Sequence, residues 1–143
     1  MKVKLYKLTN LLMKKELNPK GGAEIMGAYS HGIEVDLTKA SKMVFVTGQI
    51  AMDKDGNPIA AGDIEKQTEY VFESISKILQ EGGMTIDNVV KAVIYVKNIN
   101  DFSKISPIRN KYFANSKPVS TLIEISNTVK QGCDIEIDVI AIK

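Results

Sequence analysis

The chain has 143 residues, of which 44% are hydrophobic and 25% charged, and a formal net charge of +2. That suits one domain able to bury its own core without a disulfide or metal staple, and the single cysteine, Cys133, excludes an intrachain disulfide. No run approaches the length of a membrane span, and the start lacks the pattern of a signal peptide, so a cytoplasmic protein with no membrane partner is expected.

Charge is uneven along the chain. Residues 1–20 carry +5, from six lysines against Glu16, and the remainder carries −3. A basic start can touch anionic partners. It holds no arginine, so nucleic acid is disfavoured as a partner and residues 1–20 read as a solvated extension ahead of a single domain spanning 21–143.

Residues 2–8, KVKLYKL, fit either a strand or a short helix start. The turn residues of NPKGG, 18–22, mark where the compact fold is expected to begin. HGIEVDL, 31–37, alternates apolar and polar residues as a half-buried strand does. MVFVTGQ, 43–49, reads as a buried strand, with Gly48 at its end allowing close backbone approach. DKDGNP, 53–58, is a turn. From Asp63, apolar residues recur at three- and four-residue steps through Leu79, which predicts an amphipathic helix capped by Asp63 and stopped by Gly82–Gly83. Residues 89–97 alternate as a strand, with Val90, Ala92, Ile94 and Val96 on one face. Ser106 as N-cap and Pro107 at the first helical position predict a second helix running to about Ala114. Strands follow at 118–125 and 134–142.

This order predicts an α+β fold, a mixed sheet with two helices packed on one face. The other face is expected to show Val93, Tyr95, Leu122, Ile140 and Ile142. A monomer rarely leaves that much apolar sheet wet, so self-assembly is expected.

Motif inspection excludes several chemistries. Neither the P-loop nor the dinucleotide-binding glycine pattern occurs. One histidine and one cysteine do not make a usual zinc site, and His31, without a nucleophile at triad spacing, reads as structural. Asp134, Glu136 and Asp138 place three carboxylates on one strand face, about 6.6 Å apart in order. They are either a solvated edge or a source of one carboxylate that orders a water. If the last two strands pair, Ser120 and Glu136 both lie on non-core faces and share a cleft.

Six blocks carry a family resemblance: GAYSHGIEV (27–35), MVFVTGQIAMDKDG (43–56), GDIEKQTEYVFESISKIL (62–79), DNVVKAVIYVKNINDFSKI (87–105), KYFANSKPVSTLIEI (111–125) and IEIDVIAI (135–142). Together, from about Gly22 to Ile142, they resemble the YjgF/Rid family, the reactive intermediate deaminases also known as L-PSP proteins. The resemblance implies a chorismate-mutase-like (ferredoxin-like) α+β subunit in a homotrimer with clefts between subunits. It also implies hydrolysis of 2-imino acids to 2-oxo acids and ammonia, with no cofactor. The family pocket uses an arginine on the substrate carboxylate, backbone amides, a tyrosine, and a glutamate that positions water. Carried over by position, the tyrosine is Tyr29, the lining glycine Gly48, the glutamate Glu136 and the amide that of Leu122. A family asparagine falls at Ser106. The arginine falls at Ser120, in PVSTLIEI, so this chain departs from the family at its charged clamp.

Arg109 is the sole arginine. Three residues after Ser106, it shares a helix face with it and is the leading replacement cation; Lys91 and Lys117 are lesser candidates. Against that stands the more ordinary reading, which the residue type favours: a surface arginine or an ion pair between subunits. Three functions follow: a deaminase of small 2-imino or related carboxylate substrates, a non-catalytic trimeric metabolite binder with a regulatory role, or, from the family's older naming, an endoribonuclease or translation initiation inhibitor.

Overall fold

A computed structural model describes residues 13–143. The element expected at 2–8 lies outside the described residues. The elements are β1 (Lys14–Leu17), β2 (Gly32–Val35), β3 (Met43–Ile50), α1 (Ile64–Glu81), β4 (Val89–Val96), α2 (Phe102–Tyr112), β5 (Val119–Glu124) and β6 (Ile135–Ile142). A four-stranded sheet has the order β3-β6-β4-β5. Strands β4 and β5 run parallel, and β6 is antiparallel to both β3 and β4. This is the mixed α+β sheet with two helices expected from the element order.

Helix α1 forms where its periodicity predicts. The Asp63 side chain accepts from the Lys66 amide, a cap that contributes about 1 kcal/mol. Gly83, at φ 70°, ends the helix in the left-handed region. Its inner face buries Val71, Phe72, Ile75 and Leu79 against Ala92, Ile94, Ile135, Ile137 and Val139 of the sheet. Phe72 stacks on Tyr112, with ring centroids 4.5 Å apart, and meets Phe113 edge-on at 5.2 Å. These contacts tie α1 to the C-terminal end of α2. Cys133 is buried with its Sγ 3.2 Å from the Ala51 carbonyl, and burial pushes its thiol pKa up.

Helix α2 starts at Phe102, ahead of the predicted Pro107. Pro107 lies inside it, and Ser106 is not its cap. The reason is packing: Ile105, one turn in from the start, is fully buried in the core. A short 3₁₀ turn, Ile99–Asp101, leads in, capped by the Asn98 side chain. The buried anchor on one side of the proline outweighs the loss of one helical hydrogen bond at an exposed position.

The compact structure also begins earlier than NPKGG. β1, inside the segment read as an extension, pairs antiparallel with β2 from Lys14↔Val35 to Leu17↔Gly32. β2 is shorter than the predicted 31–37 because Asp36 turns the chain, its Oδ1 accepting from the Thr38 amide and hydroxyl. Behind this hairpin, Met13 packs with Val90 and Ile142, with Ile33, Val35 and Ile140 alongside.

Two face assignments change. Leu122 pairs with Ile94 and Ser120 with Ala92, so both side chains lie on the helix-covered face, and Leu122 packs against the core. Ile142 lies on the opposite face but is only 5% exposed, being covered by Met13. Val93, Tyr95 and Ile140 are half-buried. The exposed apolar residues of the open face are instead Phe45, Met43 and Ile123.

Candidate functional site

The sequence-derived site residues fall into three places. The first is the open sheet face. Gly48 sits where the β3–β6 register shifts, between Val46 and Gln49. A Cβ there would lie 2.7 Å from Glu136 Cδ and closer still to Oε1. Glu136 therefore lies flat over the Gly48 backbone, a position that only glycine leaves open. Its two neighbours on the strand are occupied. Asp134 pairs with Lys97 at 3.2 Å, and Asp138 accepts from the Tyr95 hydroxyl at 3.1 Å, which raises that phenol's pKa. Among the described residues Glu136 is the carboxylate of the three without a hydrogen-bond or ion-pair partner.

The second place is an edge of the sheet. Among the described residues β5 pairs with β4 alone. The Ile125 amide donates to Val96, so by strand alternation the amides of Ser120 and Leu122 point the other way, off the edge. The Ser120 hydroxyl is buried and has no hydrogen-bond partner among the described residues. Ser120 and Glu136 do not share a cleft within one chain, because their side chains leave opposite faces of the sheet. The loop 27–31 closes over the start of β5: the Ser30 amide donates to the Pro118 carbonyl and its hydroxyl to that of Lys117. Lys117, at φ 41°, holds a left-handed conformation there, a strain of the kind found at functional sites. Its side chain is exposed, as are those of Lys91 and His31.

The third place is built around Arg109. The helical spacing brings it to Ser106 as expected, Nη2 donating to Ser106 Oγ at 3.2 Å. Nε and Nη2 also donate to Asn110 Oδ1, at 3.2 and 3.0 Å. The same oxygen accepts from the Ala28 amide, so Asn110 joins the helix to the loop carrying Tyr29. The guanidinium carbon lies 5.6 Å from the Tyr29 ring centre and 5.8 Å from that of Phe102, distances at which a cation is attracted to the ring faces. Arg109 is 5% exposed, which corrects the reading of it as a surface arginine. Burial lowers its pKa, though arginine stays charged.

Sequence reasoning missed Asn110, Phe102 and Gly27 in this cluster. Neighbours at i and i+1 do not face each other on a helix; Arg109 reaches Asn110 only by curling back. Gly27 matters because a Cβ there would lie 2.6 Å from Nη2. Its place two residues before Tyr29 was the available signal.

Comparison with known proteins places this geometry in context. The family model described as Endoribonuclease L-PSP matches residues 22–143. A RutC family protein of Pyrococcus abyssi is 39% identical over 118 residues, covering 82% of this chain and 88% of the relative. The 2-iminobutanoate/2-iminopropanoate deaminase of Rattus norvegicus is 27% identical over 132 residues, 92% of each chain. Among solved structures, a Rid family protein of unknown function from Yersinia pestis superposes with a TM-score of 0.79 at 22% identity, covering 90% of this chain and 97% of that one. At that identity the likeness shows the fold.

Proposed function

The chain belongs to the endoribonuclease L-PSP family, the YjgF/Rid proteins, over residues 22–143, and from that premise we propose that it hydrolyses 2-imino acids to 2-oxo acids and ammonia. The observation that carries this reading is Glu136, a carboxylate without a partner among the described residues, lying over a glycine on an open sheet face. Relatives named as 2-iminobutanoate/2-iminopropanoate deaminases support the substrate class.

In the proposed reaction, Glu136 takes a proton from water as the oxygen adds to the imine carbon. The resulting carbinolamine collapses, the C–N bond breaks, and protonated nitrogen leaves as ammonia. The net change is imine plus water to ketone plus ammonia. The outward amide of Leu122 and the backbone at Gly48 would hold developing or fixed negative charge on the substrate, and Tyr29 would close the pocket. Because Glu136 and Ser120 leave opposite sheet faces, we propose that the pocket is completed by a second copy of the chain in a homotrimer. The exposed Phe45 and Ile123 favour such burial.

The test generates 2-iminobutanoate enzymatically, traps it with semicarbazide, and measures its loss with wild-type protein and Glu136→Gln. Acceleration by wild type, lost in the variant, is expected. No acceleration with several amino-acid precursors would sink the reading. Ser120, a buried hydroxyl where the family clamp is expected, favours a second reading in that event: a non-catalytic metabolite binder.

A further inference from the structure

Arg109 presents an unbalanced charge. Its acceptors among the described residues, Ser106 Oγ and Asn110 Oδ1, are neutral oxygens. No carboxylate of the described residues stands within 4.0 Å of it, and residues 1–12 contain no Asp or Glu. A cation removed from water is costly unless paired. Two ring faces and two neutral oxygens hold the guanidinium in place without neutralising it. Of the five N–H donors of a guanidinium, those on Nη1 meet no acceptor among the described residues. The geometry is that of a positioned donor set awaiting an anion.

Several features fix the guanidinium where it stands. Gly27 lacks the Cβ that would displace Nη2. Asn110 ties the guanidinium to the Ala28 amide, so the cation, the Tyr29 loop and the helix are joined through one oxygen. The loop runs on to the start of β5 through Ser30, so that cluster borders the strand whose Ser120 and Leu122 amides point off the sheet edge. Ser120 itself contributes a buried hydroxyl and no charge.

We propose that Arg109 is the cation that holds the carboxylate of this protein's small-molecule ligand, taking over a task that Ser120 leaves vacant. The ligand class is a short 2-oxo or 2-imino acid; that choice rests on the deaminase reading. The cation is supplied from helix α2 rather than from β5. A guanidinium can grip a carboxylate through two charge-assisted bonds, which a lysine ammonium does not reproduce.

The test is calorimetric titration of the full chain with 2-oxobutanoate and, as a neutral probe, 2-oxobutanamide. The proteins are wild type, Arg109→Ala and Arg109→Lys, with circular dichroism and light scattering to check fold and assembly. Wild type is expected to prefer the carboxylate by at least about tenfold, as a charged hydrogen bond contributes roughly 1.5–3 kcal/mol. Arg109→Ala should lose that preference, and Arg109→Lys should retain the fold with weakened preference. Millimolar guanidinium should restore carboxylate binding to Arg109→Ala.

Three outcomes overturn the inference. One is wild-type protein that binds neither probe. Another is a folded Arg109→Lys and Arg109→Ala pair with unchanged carboxylate affinity, even if wild type hydrolyses the imine; deamination would then stand without Arg109. The third is an Arg109→Ala protein that dissociates yet still binds, which would make Arg109 an ion-pairing residue between subunits. Arg109-dependent carboxylate binding without imine hydrolysis would uphold the inference and defeat the deaminase reading.

Discussion

The two faces of the four-stranded sheet carry different loads. On the covered face, Ala92, Ile94, Val96, Ile135, Ile137, Val139 and Ala141 are essentially without exposure, and Gln67, a polar side chain buried behind them, is fully bonded. Its Nε2 donates to the carbonyls of Ile59, Ala60 and Gly132, and its Oε1 accepts from the Asp134 amide. On the open face, Phe45 is 69% exposed, and Lys97–Asp134 and Tyr95–Asp138 pair at the surface around Glu136, which has no partner among the described residues. Alternate residues of the same strands serve both faces. The covered face stabilises the fold, while the open face carries carboxylates and apolar area that the chain leaves exposed.

Substitutions that separate stability from function test that division. The largest effect belongs to Phe72→Ala, which empties the centre of the covered face and breaks both ring contacts. It should cost about 3–5 kcal/mol in chemical denaturation, and a loss below 1 kcal/mol would show that the helices are not held through this ring. Gln67→Leu leaves buried carbonyls and one amide unpaired, and about 1–3 kcal/mol should be lost. Denaturation midpoints at unchanged slope would report it; no change would mean that water replaces the side chain.

On the open face the order reverses. Gly48→Ala should move folding stability by less than about 1 kcal/mol, since Glu136 can swing away. Imine hydrolysis should nevertheless fall roughly 100-fold through misplacement of that carboxylate. Equal activity in the variant would separate Glu136 from the chemistry. Phe45→Ser should shift subunit stability by no more than about 0.5 kcal/mol. Its proposed effect is on mass in light scattering, which should drop from trimer toward monomer; an unchanged mass would place the subunit contact elsewhere.

The sequence alone determined the element order, the amphipathic face of α1 and the family. Those follow from local signals: the 3.6-residue period, the Asp63 cap, the glycine stop and six ordered motif blocks. It also brought Arg109 to Ser106, because residues three apart on a helix are neighbours whatever surrounds them. Tertiary structure decided the rest. Strand pairing set which face Ser120 and Leu122 occupy, since a register shift of one residue reverses every side chain and no local signal fixes register between strands distant in sequence. Packing of Ile105 moved the start of α2 across Pro107. Pairing with β2 turned part of a basic extension into a strand. Above all, burial among Tyr29, Phe102, Ser106 and Asn110 made Arg109 an unneutralised cation, because the cost of an unpaired charge depends on what surrounds it in space.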